Sequence, residues 1–67
     1  MNNEEFFKLV PARQFFTKYA PTVKRYYHKM SGIDGNKQPI TWTKQDLEDM
    51  QAGVKRMAND LKSFKFK

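Results

Sequence analysis

Six apolar residues, Leu47, Met50, Val54, Met57, Leu61 and Phe64, follow one another at spacings of 3, 4, 3, 4 and 3. No strand can use that pattern, because successive strand residues face opposite ways. On a helix the six form a single stripe, of the kind that packs against other helices. The segment is bounded accordingly. Thr43 is suited to cap the first turn, with Asp46 three residues on as its capping-box partner. Trp42 and Leu47 are placed to staple the entry. Asp46, Glu48 and Asp49 stand at the start and Lys55, Arg56 and Lys62 toward the end, as the helix dipole prefers. Gly53, mid-helix, costs up to about 1 kcal/mol relative to Ala and marks a candidate close helix crossing. A helix over 43–63 is expected, with the tail 64–67 frayed.

A helix with such a stripe needs partners, and the N-terminal half supplies them. Asn2 with Glu5, or Asn3 alone, can cap a first helix over 3–10, whose apolar face is Phe6, Leu9 and Val10 with Phe7 at its edge. At about 100° per residue, that face points almost opposite to Phe15, Phe16 and Tyr19, so one straight helix cannot bury both sets. Pro11, which needs no N–H at a helix start, is expected to open a second helix. Helical phase is kept across Pro21, because Val23, Tyr26, Tyr27 and Met30 fall on the face of Phe15, Phe16 and Tyr19. An interior proline disfavours a continuous helix and a preserved phase favours one. The phase argument leads to one helix over 12–31 bent at Pro21, with a corner as the alternative. Gly32 is suited to end it. Asp34-Gly35-Asn36 and Pro39 make 32–42 a loop, pinned by Ile33, Ile40 and Trp42. The expected fold is all-α: one domain over 1–67, built as a small three-helix bundle with a Pro-kinked central helix, or four segments if Pro21 breaks it.

With 67 residues and no Cys, neither a disulfide staple nor a thiolate metal site is open to the chain. Six Phe, three Tyr, one Trp and four Met furnish the core bulk. No apolar run approaches a membrane span of roughly 20 residues, and the start Met1-Asn2-Asn3-Glu4-Glu5 has the wrong charge for a secretory leader. A soluble intracellular protein is expected.

Catalytic constellations are missing. The single His, His28, has only Ser31 nearby, in a spacing that resembles no nucleophile elbow. The carboxylate clusters Glu4/Glu5 and Asp46/Glu48/Asp49 sit at helix starts, where the dipole accounts for them. Asp34-Gly35-Asn36 lacks the rest of a calcium loop, and Gly32–Lys37 lacks the strand and the Lys-Ser/Thr ending of a phosphate loop. No enzyme, metal site or cofactor is expected.

Charge is the sharper signal. Lys and Arg number 13 against 7 Asp and Glu, a net +6. Five of the cations and no acid lie between Ala12 and Gly32. If that segment is helical, Arg13, Lys18, Lys24, Arg25 and Lys29 share a face about 30 Å long, with His28, Thr17 and Gln14 as added donors. A polyanion, most simply nucleic-acid backbone, is the partner that such a face fits. The connection over 33–42 is too long for a helix-turn-helix, so binding is expected to tolerate any sequence. The tyrosines lie on the apolar face and read as core rather than as base-stacking platforms. The basic–aromatic profile of 12–31 also suits a membrane surface, but the third helix gives those aromatics a core to enter. The competing reading is a protein-interaction or assembly component (an inhibitor, an adaptor or a small subunit of a larger particle), with an acidic protein as partner and Trp42, Met50, Met57 and Phe64 as interface residues. The same stripe could instead join two copies in a homodimer through 43–63.

Overall fold

The computed structural model describes residues 1–67 as four helices without a strand: α1 (Asn3–Leu9), α2 (Ala12–Tyr19), α3 (Tyr26–Ser31) and α4 (Lys44–Ser63). The Asn2 side chain accepts a hydrogen bond from the Glu5 N–H at 2.8 Å and so starts α1. Val10 stops it in an extended conformation (φ −121°, ψ 117°), as expected of a residue before proline. Pro11 then opens α2, and the Phe15 N–H donates to its carbonyl at 3.0 Å. The chain reverses its apolar face here, as the phase of the sequence requires. Phe6 and Phe7 both settle on Phe15, with ring centroids 5.2 and 6.1 Å away. Leu9 is left in solvent, contrary to its expected place on the inner face. Phe7 takes that place, because α1 lies across the Phe15–Phe16 pair on its Phe6/Phe7 side.

The expected bent helix over 12–31 is two helices joined by a corner. Pro21 has no N–H to continue the ladder, and it forces Ala20 out of the α region, to φ −140° and ψ 54°. A turn follows, in which the Val23 N–H donates to the Ala20 carbonyl at 3.2 Å. Arg25 takes a left-handed conformation (φ 56°) immediately before α3. The preserved phase has another origin than a kink: the corner turns Val23 and Tyr26 back to the core that Phe15 and Phe16 occupy. Gly32 ends α3 at φ 83°, and its N–H donates to the His28 carbonyl.

Phe15 and Phe16, 1% and 2% exposed, are the centre of the core. Burying each contributes roughly 1.5–3 kcal/mol. The Phe16 ring is stacked by Tyr26 at 4.4 Å, Phe7 at 5.6 Å and Trp42 at 5.8 Å. Three other segments of the chain thus converge on one side chain of α2. Trp42 holds the loop to the core, and Ile33 does not, being exposed. Within the loop, Asp34 accepts from the N–H groups of Asn36 and Gln38 at 2.8 and 2.9 Å. Ile33 and Pro39 make an isolated bridge.

The capping box of α4 is complete. The Asp46 N–H donates to Thr43 Oγ1 at 3.0 Å, and the Thr43 N–H donates to Asp46 Oδ2 at 2.9 Å. The main helix contact, α2 on α4, is set by Gly53. A Cβ there would stand 2.7 Å from the Tyr19 carbonyl oxygen and 3.3 Å from the Phe15 ring. That carbonyl closes α2 and accepts a hydrogen bond from the Arg56 guanidinium one turn along α4. The stripe of α4 is only partly used: Met50 is buried and Val54 and Met57 half-buried, whereas Leu47, Leu61 and Phe64 are exposed. Twenty residues of helix span about 30 Å, and the other three helices are too short to cover that length. The molecule measures 47 × 21 × 21 Å. No helix is long and apolar enough to cross a membrane.

Candidate phosphate-binding face

The cations of the central segment fall into three groups once the corner at Pro21 is in place. Arg13 and Lys18 are exposed on α2 and have no carboxylate within ion-pair distance. With Gln14 and Thr17 they line a shallow groove of about 310 Å³ that contains no acid and no apolar side chain. Spacings of one and four residues put these four donors along one side of a short helix. Lys18 Nζ also lies 5.4 Å from the Tyr19 ring centroid, a cation–π contact that holds the ammonium toward α4. Lys24, in the corner, is exposed and unpaired.

Arg25 and His28 are partly committed. The Arg25 guanidinium lies 3.8 Å from Asp34, and the His28 ring sits 4.6 Å from Tyr27. The Asp34 carboxyl is held below its ordinary pKa, first by the hydrogen bonds from Gln38 and Asn36 and then by the Arg25 and His28 charges.

Lys29 leaves the basic face altogether. Its ammonium is 2.6 Å from Asp46 Oδ2, and both side chains are 11% exposed. The single long helix that would have carried Lys29 outward does not form. The corner rotates α3 so that Lys29 points at the start of α4. Burial acting alone would raise the Asp46 pKa. The hydrogen bonds from Lys29 and Thr43, with the Lys29 charge, outweigh it and hold the carboxyl below its ordinary value of 3.8.

Arg56, expected only as part of the dipole pattern of α4, reaches the same residue as Lys18. Both engage Tyr19, Lys18 through the ring and Arg56 through the carbonyl. Tyr19 in turn donates its hydroxyl to Asp60 Oδ2 at 2.6 Å. That bond, burial and the Asp60 charge raise the Tyr19 pKa. Nothing local in the sequence ties residue 56 to residue 18; the link is the Gly53 crossing.

The residues expected at a protein interface separate as well. Met50 is buried, Trp42 and Met57 are half-buried against the core, and Phe64 is exposed beyond it. No three His, Asp or Glu side chains gather in a way that could hold a metal ion. No protein family, curated protein sequence or solved structure matches the chain.

Proposed function

We propose that this chain is a non-enzymatic binding protein that holds nucleic-acid backbone through Arg13, Lys18, Lys24 and Arg56, without reading base sequence. The observation that carries this reading is the groove on α2, where Arg13, Gln14, Thr17 and Lys18 offer charge and hydrogen-bond donors with no acid among them. Phosphate oxygens need that combination: long cations to displace counterions and short donors to fix register. Arg56 extends the surface across the α2–α4 junction, and the +6 net charge favours encounter with a polyanion. The exposed rings Tyr27, Phe64 and Phe66 lie outside the groove, and no aromatic side chain lines it, which is why the contact is assigned to backbone alone.

The experiment is fluorescence anisotropy with labelled duplex and single-stranded probes at several salt concentrations. Four neutralised phosphates give a slope of log K against log salt of about −3 to −4. Random and defined sequences should bind alike. An absence of binding at about 50 mM salt, where such contacts are strong, removes the reading and transfers the question to a protein partner.

A further inference from the structure

We infer that two copies of this chain pair antiparallel along the outer face of α4, Leu47 of one copy against Leu61 of the other, with Val54 at the two-fold axis. Leu47, Val54 and Leu61 are separated by seven residues each, so they form one stripe down the helix. The stripe runs beside the buried line of Asp46, Met50 and Gly53 that faces α2. Leu47 and Leu61 are 47% and 66% exposed, and Val54 is partly so. Between them on the outer side lie Gln51 and Ala58, both exposed and neither charged.

The spacing identifies the occupant as a helix. Apolar residues every seven positions keep facing a partner only when that partner is another helix crossed at a small left-handed angle. Charge then sets its direction. Glu48 and Lys62 lie one residue past Leu47 and Leu61, on the same flank of the stripe and at opposite ends of it. Parallel pairing puts the Glu48/Lys62 flanks of the two copies on opposite sides of the seam, where neither charge meets its complement. Antiparallel pairing sets each Glu48 beside the Lys62 of the other copy and opposes the two helix dipoles. α4 of a second copy has the required spacing and the required charges in reverse order. The two Lys55 side chains approach each other near the axis, but both are exposed and long enough to diverge in solvent.

Shape agrees with charge. A cleft of about 270 Å³ between α1 and α4, lined by Phe6, Phe7, Leu47, Met50 and Val54 among others, opens at the start of the helix. The uncovered Leu61 and Phe64 are at its end. Antiparallel pairing lays the end of each α4 over the cleft of the other copy. Residues 47–61 span only about 21 Å of helix, so the interface belongs to the small, reversible class. The stripe and the α2 groove are different surfaces, so either can fail without the other.

The test is sedimentation equilibrium of the full chain from about 10 µM to about 1 mM at 0.15 M salt, where net repulsion is screened beyond about 8 Å. The wild type should show a monomer–dimer equilibrium within that range. Leu61→Gln, outside the core, should weaken it at least about tenfold with an unchanged helical circular dichroism spectrum. Glu48→Lys and Lys62→Glu, each alone, put like charges opposite one another and should weaken it about tenfold. Mixed one to one, the two variants regain complementary pairs and should associate about as tightly as wild type. A wild type that stays monomeric at about 1 mM overturns the inference, as does a mixture no tighter than its separate components.

Discussion

The ammonium of Lys29 and the carboxylate of Asp46 meet at 2.6 Å across 17 residues of sequence, with each side chain almost withdrawn from water. Asp46 also closes the capping box of α4, so one carboxylate fastens α3 to the entrance of the longest helix. Replacing Lys29 with Met leaves a buried carboxylate without its cation. The expected loss is about 2–4 kcal/mol of stability, read from urea unfolding followed by Trp42 fluorescence. A small chain holds only about 0.05–0.15 kcal/mol per residue, so this is a large share of the total.

The same pair sets the response to acid. The Asp46 and Asp34 carboxyls are held below their unfolded value of 3.8, so their contribution is fully present above that value. It is lost as the pH falls through their lower folded pKa values. Stability measured by urea unfolding should therefore be flat from pH 7 to about 5 and drop below about pH 4. In Lys29→Met the cost should shrink over that same acid range, since a protonated Asp46 no longer needs a cation. A cost independent of pH would show that Asp46 is not the group involved.

Gly53→Ala sets helix propensity against space. Alanine favours the helix by up to about 1 kcal/mol, but its Cβ would meet the Tyr19 carbonyl, which is backbone and cannot rotate away. A net destabilisation of about 1–3 kcal/mol is expected. A stabilised variant in thermal unfolding would mean that α2 and α4 do not cross at residue 53.

Phe16→Ala removes the ring on which Phe7, Tyr26 and Trp42 stack. Truncations of this kind cost about 3–5 kcal/mol. The variant should lose most of its helical circular dichroism at 37 °C, along with the fluorescence signature of a half-buried Trp42.

Binding and stability should respond to different cations. Alanine at Arg13, Lys18 or Lys24 is expected to lower the salt slope by about one unit each while leaving the unfolding midpoint nearly unchanged. Lys29→Met should do the reverse, because its charge already belongs to Asp46. Alanine at Arg56, which also hydrogen-bonds the Tyr19 carbonyl, should lower both. Equal effects of Lys29 and Lys18 on the slope would contradict the division of the basic segment described above.

Local chemistry made much of this architecture readable. The Thr43/Asp46 box, the break at Pro11, the glycine end at Gly32 and the close crossing at Gly53 each depend on residues within a turn or two, or on the absence of a side chain. Pro21 was ambiguous because a bent helix and a tight corner return Val23 and Tyr26 to the same face. Only the exclusion of Ala20 from the α region separates the two. The fate of Lys29 was hidden for a different reason. Its partner is a capping residue 17 positions away, and capping alone already explained that carboxylate. The stripe on α4 announced that a partner was needed, but spacing carries no information about how far along the helix that partner reaches. For the same reason Arg56 was not grouped with Lys18, since the two meet only at Tyr19.

The uneven cover along α4 has a consequence for motion. Its first half is anchored by a capping box, an ion pair and the crossing at Gly53, whereas Leu61 and Phe64 stand clear of the core. Amide protons in the early turns can exchange with solvent only when the whole core opens. Those beyond Asp60, which still holds the Tyr19 hydroxyl, can exchange by fraying from the C-terminal end, at far smaller free energy. One uninterrupted helix should thus carry two deuterium-exchange regimes, with the step between them falling where the neighbouring helices run out.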